Sequence, residues 1–419
     1  MANHFPTVPW ATGASMYEVN IRQYTPEGTF SAFLQHLPRL RDMGIDILWL
    51  MPITPISVLA RQGSLGSYYA CSSYTKINPA YGTLADFKTL VDEAHQLGFK
   101  VIIDWVANHT GHDHEWTKGH PDWFMQDEAG NFTERNGWKD VIDLNYSNNH
   151  MRKAMIEAME FWVKDYNIDG FRCDMAHLVP LDFWQEARLA CDGVKPLFWL
   201  AECEVMQYHN VFDVSYAWEW MHVTQKYFQG NASLSHVYDV LHKYSQYPKD
   251  SKKLFFTTNH DENSWNGSEY EKYGQAAKAM AVFAATWNGM PLVYSGQESP
   301  NRKRLKFFDK DLIEWHQPLQ LHDFYKVLLS LHKTKAVAEG ETFILPTHNP
   351  DVMAYLRRKG KEVVLVILNL GSNNGLLISL EHEWLQGSFS NSFSGLSFAF
   401  DAKEVFELQA YEYLVYKKS

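Results

Sequence analysis

Cysteine is scarce in this chain, with only Cys71, Cys173, Cys191 and Cys203 among 419 residues. Their spacing matches no zinc pattern, and they read as the reduced thiols of a cytoplasmic protein. Basic charge is short too: 38 lysines and arginines face 49 acidic residues, a formal net charge of −11. That balance argues against nucleic acid or an anionic membrane as a partner, because both need a basic surface. Long apolar runs are missing, and no segment approaches the ~18 uncharged residues of a membrane span. The opening stretch MANHFPTVPWATG has neither a basic start nor an apolar run. No signal peptide is therefore expected, and the cytoplasm is the expected location. Internal repeats and low-complexity linkers are absent as well.

What is present suits a large soluble protein. Hydrophobic residues make up 46% and charged residues 21%, ordinary values for a globular chain. A single core seldom grows past ~250–300 residues, so a large domain with a smaller companion is expected. Aromatics reach 15%, with 15 tryptophans, an excess that serves either core packing or stacking on flat ligands.

Short β-branched or aromatic runs alternate with helical stretches along most of the chain. The runs SMYEVNI, DILWLMP, KVIIDWV, DGFRCD, PLFWLAE, VFDVSY, KLFFTTNHD and MPLVYSG read as eight strands. Helices are expected over Phe30 to Met43, over Thr83 to Leu97 with Gly98 closing it, and from about Asn148 to Asn167. This alternation predicts an α/β fold, a (β/α)8 TIM barrel. A doubly wound sheet would favour a Gly-rich phosphate turn after the first strand, and none is there. The connection from Trp105 to Tyr146 is too long for a plain barrel loop and reads as an inserted subdomain rich in Trp and His. After about Ala336 the pattern turns to alternating strands, with a hairpin expected through Lys359-Gly360 and a C-terminal all-β sandwich. The expected organisation is a barrel over 1–104 and 147–335, an inserted subdomain over 105–146, and a β-sandwich over 336–419.

Barrel chemistry sits at the C-terminal ends of the strands. The polar residues expected there are Asp104, Asn108 and His109 after strand three, and Arg172 and Asp174 at strand four. Strand five contributes Glu202, and strand seven His260 and Asp261. Charged residues rarely enter a buried strand without a partner or a task. Arg172 and Asp174 are two apart, so both face the barrel while Cys173 faces outward. An arginine beside an aspartate lowers its pKa and keeps it ionised, the state a nucleophile needs. The run PLFWLAE is the most apolar approach of the set, and burial there is expected to raise the Glu202 pKa, as an acid catalyst needs. Two carboxyls under opposed pKa pressure on adjacent strands fit a retaining glycosidase, where they lie about 5–5.5 Å apart. Taken alone, Arg172 with Asp174 could be a buried structural pair, and Glu202 a solvated strand end.

The motifs DWVANH, GFRCDMAH, FWLAE and FTTNHD occur in one order, and with them the chain resembles the α-amylase family, glycoside hydrolase family 13. SYYACSSYTKINPAYGT and PLVYSGQE extend the likeness to essentially the whole chain. The resemblance implies that Asp174 is the nucleophile, Glu202 the general acid/base and Asp261 the carboxylate that grips sugar hydroxyls. It implies that Arg172 orients Asp174 with Asp104 bracing it, that His109 and His260 bind the sugar in the cleaved subsite, and that Tyr69 stacks on that sugar. His177 stands where many relatives carry a lysine that touches the acceptor sugar. Ser73 replaces an aspartate common before Tyr74. Asn108 and Asn145 are the implied oxygen ligands of a possible structural calcium. Many calcium-binding relatives carry aspartate at Asn145, and the loop RQYTPEGTF lacks the Asp-rich calcium segment of some of them. No other cofactor is expected. The cluster His109, His112, Asp113 and His114 tempts a transition-metal reading, but the resemblance commits His109 to sugar.

The activity implied is retaining hydrolysis of α-1,4-glucosidic bonds in maltodextrins or starch fragments, with an α-glucan oligosaccharide as the partner. Transglycosylation, or degradation of cyclodextrin or pullulan, uses the same trio. A non-catalytic relative, such as a transporter-subunit ectodomain, would lack the carboxylates that Asp174, Glu202 and Asp261 supply. Oligomeric state stays open.

Overall fold

The computed structural model describes residues 5–248 and 250–418. Residues 1–4, Lys249 and Ser419 fall outside the described residues, and with them the outermost limits of the expected domains and the start of the N-terminal stretch. Eight parallel strands close into a barrel in the order 1-8-7-6-5-4-3-2. They are Met16–Val19, Ile47–Leu50, Lys100–Trp105, Gly170–Cys173, Phe198–Ala201, Val214–Tyr216, Lys252–Phe255 and Met290–Tyr294. The strands are buried on both faces, which is why they read as apolar runs rather than as clean alternation.

Local chemistry sets the helix limits. The helix Leu84–Gln96 opens on a capping box between Thr83 and Asp86, and Gly98 beyond it takes φ +82°. The helix Asn149–Tyr166 is capped by Asn148, whose side chain accepts from His150 N and Met151 N, and ends at Asn167 in the left-handed region. The helix expected over Phe30 to Met43 is instead two, Phe30–Leu34 and Leu37–Met43. Pro38 in the first turn of the second piece has no N–H to continue the first and starts a new helix readily. The alternation also breaks once. Strands five and six are joined only by the short 3-10 turn Met206–Asn210, whereas two helices, Trp218–Phe228 and Leu234–Ser245, follow strand six.

The segment between strand three and its helix folds on an antiparallel pair, His109–Gly111 with Val141–Asp143, over aromatics that include Trp123 and Phe124. At the C-terminal end, the hairpin Val352–Lys359 and Glu362–Asn369 turns through Gly360 at φ +60°. It lies within a six-stranded antiparallel sheet whose two faces bury different residues. Met353, Tyr355, Val364 and Val366 join the barrel core, while Ala354, Leu356, Leu365 and Ile367 join a second, smaller core. Period-two alternation is what allows one sheet to serve both. The expected sandwich has a thin second layer, only the ribbon Leu376–Glu381 with Lys403–Leu408. All four cysteines are buried and unpaired. Among the described residues no helix is long and apolar enough to cross a membrane.

Gly170 begins strand four, pairing with Ile102 on one side and Phe198 on the other. A Cβ there would collide with the Phe198 carbonyl, which cannot move without opening the barrel. Gly170→Ala should therefore cost at least about 3 kcal/mol, the upper end of overpacking penalties, measured as a lowered urea midpoint. A loss under 1 kcal/mol would show that the close strand approach carries no such constraint.

Candidate active site

The C-terminal strand ends converge on Arg172, which is fully buried. Its Nη1 donates to Asp104 Oδ1 and to Asp174 Oδ1, both at 2.8 Å, and its Nε donates to the Tyr216 hydroxyl at 3.1 Å. Nη2 lies 2.8 Å from Glu202 Oε2. That contact is close, but its N–H points off the oxygen, so it acts through charge more than as a directed hydrogen bond. The rings of Trp49, Tyr69 and Tyr216 lie 5.0, 5.7 and 5.6 Å from the guanidinium carbon. One cation thus holds carboxylates from strands three, four and five at once.

A second chain of contacts runs from Asp104. Its Oδ2 accepts from Trp49 Nε1 and from the Tyr69 hydroxyl, each at 3.1 Å. The Tyr69 oxygen lies 2.6 Å from His260 Nε2, and Asp261 Oδ2 lies 3.2 Å from the same nitrogen. His260 Nδ1 is 2.5 Å from Glu18 Oε1, contributed by strand one. Burial opposes a charge on His260, but Asp261 and Glu18 outweigh it and raise its pKa well above the usual imidazole value. His260 is therefore a cation, donating from both ring nitrogens.

Electrostatics separate the carboxyls. Burial pushes Asp104, Asp174 and Glu202 above the usual carboxylate range, with Arg172 opposing in each case. The expectation that Arg172 would hold Asp174 low is not met, because desolvation outweighs the guanidinium and Asp104 adds repulsion. For Glu202 the expected rise is found, with Asp174 reinforcing burial. Asp261 behaves differently. Burial raises it, yet His260 prevails and holds it below its usual value. Its side chain is 36% exposed, facing open space above the network.

The Glu202 carboxylate gains one more tie. Met175 takes φ +40° and ψ +46°, left-handed for a residue with a side chain, and its N–H donates to Glu202 Oε2 at 2.9 Å. Such a conformation costs about 1–3 kcal/mol and persists only where the surroundings enforce it. It sits directly after Asp174, between the two carboxylates it helps to place.

Above this floor lies a cavity of about 330 Å3 that Tyr69, His109, Asp174, Glu202 and Asp261 all reach. His109 packs against Trp138 at 5.2 Å, and burial lowers its pKa to about 4, so it is neutral. His177 is not in this cavity. It is the exposed residue of the turn Ala176–Leu178 and lines an adjoining depression with Trp218 and His222, which begins at Glu202 and Asp261. Asn108 and Asn145 lie away from both. Asn108 Nδ2 is 3.1 Å from His109 Nδ1 and 3.5 Å from Asp143 Oδ1. Asn145 Oδ1 accepts from Ser147 N, and its amide donates to the Asp122 carbonyl. Among the described residues no group of three or more His, Cys, Asp or Glu side chains is placed to hold a metal ion.

Several contributors go beyond the residues expected from sequence. Glu18 carries the same signal as Arg172, a lone charge in an apolar strand, and could have been found that way. Trp49 and Tyr216 read as core. Asp140 lines the cavity, is buried, and has an Oδ2 with no partner in the protein. Nothing in its sequence setting distinguishes it from a surface loop acid.

Comparison with known proteins agrees with this geometry. The α-amylase catalytic-domain family model matches residues 12–123 and 119–314, and the maltogenic amylase C-terminal domain model matches residues 342–415. The chain is 27% identical over 393 residues to α-amylase MalA of Haloarcula japonica, a match that spans 87% of this chain and 56% of that relative. It is 24% identical to a cyclomaltodextrinase of Geobacillus thermopakistaniensis, over 93% of this chain and 70% of that one. Among solved structures, a noncanonic maltogenic α-amylase AmyB from Thermotoga neapolitana superposes with a TM-score of 0.90 at 32% identity, covering 97% of this chain and 99% of that one. An α-amylase from Lactobacillus plantarum gives 0.88 at 29% identity, covering 98% and 99%.

The charge on His260 is testable directly. Its ring signals should report a protonated imidazole well past neutrality, and Glu18→Gln should move the midpoint down by removing one flanking carboxylate. A histidine raised in the folded state adds stability that is complete below its unfolded value of about 6.5 and is lost as pH rises through the folded value. The stability gap between wild type and Glu18→Gln should accordingly be widest at acid to neutral pH and shrink on the alkaline side. Identical His260 midpoints in the two proteins would overturn the assignment.

Proposed function

The chain belongs to the α-amylase family of glycoside hydrolases, and we propose that it hydrolyses α-1,4-glucosidic bonds of maltodextrins with retention of configuration. The observation that carries the reading is the sharing of the Arg172 guanidinium by Asp174 and Glu202 at the floor of a cavity. Glu202, with the raised pKa, is the proton donor to the glycosidic oxygen. Asp174 attacks the anomeric carbon, forming a glycosyl-enzyme through an oxocarbenium-like transition state. The Glu202 carboxylate then takes a proton from water, and the hydroxide equivalent displaces Asp174 with the α-configuration restored. Arg172 and Asp104 position the nucleophile. Asp261 binds hydroxyls of the cleaved sugar with the His260 cation behind it, Tyr69 and His109 flank it, and the free oxygen of Asp140 accepts from a further hydroxyl. His177 and Trp218 face the acceptor side.

Transfer to a sugar acceptor is the second reading. It is favoured by the adjoining depression, where Trp218 stacks on His222 with ring centroids 5.6 Å apart and offers an acceptor sugar a flat platform. Proton NMR of maltoheptaose digestion separates the readings. Hydrolysis gives α-anomers first and shorter chains only; transfer also gives longer chains; β-anomers first would reverse the role given to Asp174. The pH profile of kcat/KM should be a bell whose acid limb is Asp174 protonation and whose alkaline limb is Glu202 deprotonation. Burial raises both groups, so both limbs should lie above the ordinary carboxyl values of about 3.9 and 4.3. Asp174→Asn and Glu202→Gln should each lower kcat by at least about a hundredfold.

We further propose that the inserted subdomain is tied by hydrogen bonds and an ion pair rather than by calcium. Arg135 Nε donates to the fully buried Asp143 Oδ2 at 2.7 Å, so a guanidinium supplies the charge beside Asn108 that a calcium ion would bring. Chelator should leave the melting temperature unchanged. Arg135→Ala, which strands a buried carboxylate, should cost about 1–3 kcal/mol, discounted because the arginine is itself mostly exposed. A chelator-induced drop in melting temperature would sink this reading.

A further inference from the structure

Asp174 and Glu202 are held by their side chains, the first by Arg172 and the second by Arg172 with the Met175 N–H. Asp261 is not held in that way. Its Oδ2 lies 3.2 Å from His260 Nε2, and among the described residues no other hydrogen bond or ion pair reaches the carboxylate. The backbone beneath it therefore decides where it stands.

That backbone is unusual. Asp261 heads the π-turn Glu262–Asn266, which Gly267 N closes by donating to the Glu262 carbonyl at 2.9 Å. Such turns are rare and gather at functional sites. The run ENSWN is poor in helix formers, so its own propensity does not hold the turn. Tertiary ties do. Asn259 Oδ1 accepts from Glu262 N at 2.8 Å, and Asn263 Oδ1 accepts from Leu305 N at 2.9 Å. Trp265 packs on Phe307 and Phe308, which line the cavity, at 5.4 and 5.8 Å.

One tie is charged and buried. Glu262, next in the chain to Asp261, accepts at Oε2 from Lys272 Nζ at 3.0 Å. The two side chains are 2% and 1% exposed. Glu262 Oε1 accepts from Asn266 Nδ2 at 2.8 Å, joining the first residue of the turn to its last. Lys272 belongs to the next helix, Glu269–Tyr273, and its Nζ lies 3.9 Å from the Met221 sulfur on the helix Trp218–Phe228. The same short helix is tied to the approach to His260, since Thr257 Oγ1 donates to the buried Glu269 Oε2 at 2.7 Å. It thus grips the chain both before and after the His260-Asp261 pair. A buried ion pair adds little net stability, and the reaction as assigned makes no use of this one. What it can secure is geometry.

We propose that the buried Glu262–Lys272 pair positions Asp261, by anchoring the π-turn that this carboxylate heads to the helix Glu269–Tyr273. Its effect on rate rests on the glycosidase reading given above. The placement itself is a property of the protein without substrate, and His260 reports it. Burial lowers the His260 pKa and the neighbouring Asp261 carboxylate raises it, so a displaced Asp261 lets it fall.

The test is Glu262→Gln combined with Lys272→Met. Replacing both strands no buried charge, and because the pair is neutral as a whole its removal leaves the net charge around His260 unchanged. The His260 ring titration, followed by NMR without substrate, should fall by about one pH unit or more. On maltoheptaose kcat should fall at least about tenfold, with KM changing less, as a misplaced binding group requires. Asn266→Ala, at an exposed position, opens only the tie to Glu262 Oε1 and should give the same two changes, smaller, even if the double variant does not fold. An unchanged His260 midpoint would overturn the positioning, and lost activity with an unchanged midpoint would mark the pair as merely structural. A fallen midpoint with kcat intact would overturn its role in the reaction. A fallen midpoint, with wild type itself unable to cleave maltoheptaose, would leave the positioning standing and overturn the glycosidase reading.

Discussion

The site depends on one guanidinium. Arg172 is shared among Asp104, Asp174 and Glu202, and without it three carboxylates from adjacent strands would repel one another at the barrel mouth. A buried cation in that position gives little net stability, because taking all four groups from water costs several kcal/mol per ion. What it secures is geometry. The strands supply the carboxylates at fixed heights through parallel register, with Asp104 opposite Arg172 and Arg172 opposite Leu200, and the guanidinium then fixes their rotamers. The left-handed Met175 is part of the same economy, since turning the chain sharply after Asp174 delivers an N–H to Glu202.

Even so, Arg172 does not neutralise the site. Glu18, Asp104, Asp174, Glu202 and Asp261 face only Arg172 and His260, which leaves acidic groups in excess wherever all are ionised. Burial alone outweighs Arg172, and the neighbouring acids add to it, so Asp174 and Glu202 are both raised. Arg172 also orders the two. Asp174 holds a directed hydrogen bond from Nη1, while Glu202 meets Nη2 off-axis, so the proton that the crowded site retains belongs more naturally on Glu202.

Much of this was legible in the sequence, and the reasons for the gaps are physical. The strand runs, the long third loop and the charges at strand ends carry local signals: period, turn chemistry and lone charges in apolar surroundings. They led to Asp104, Arg172, Asp174, Glu202, His260 and Asp261, which the fold brings together. The missing helix after strand five has no such signal, since Met206–Asn210 lies in a polar stretch that reads equally well as a helix start. Asp174 was misjudged because two residues on paper show an ion pair, whereas the third dimension adds Asp104 and removes water. The tryptophan excess divides between the core and the cavity wall. Trp49, Trp105, Trp162, Trp184, Trp199 and Trp220 are fully buried, while Trp138 and Trp265 line the cavity. Position along the sequence could not divide them. Phe307 and Phe308 escaped notice because a loop in contact with another loop more than 200 residues away leaves no periodic trace.

The uncompensated acid at the site becomes intelligible when set against the reaction. The α-glucan of the proposed reading is neutral, so it gains little from an acidic cavity in the ground state. The oxocarbenium-like transition state carries positive charge on the cleaved sugar, and it gains much. An interaction that is strong only when charge develops lowers the barrier instead of merely tightening binding. The His260 cation, pinned between Glu18 and Asp261, keeps that acidity from collapsing into shared protons on the wrong carboxyl. Low dielectric at these buried carboxylates amplifies the effect.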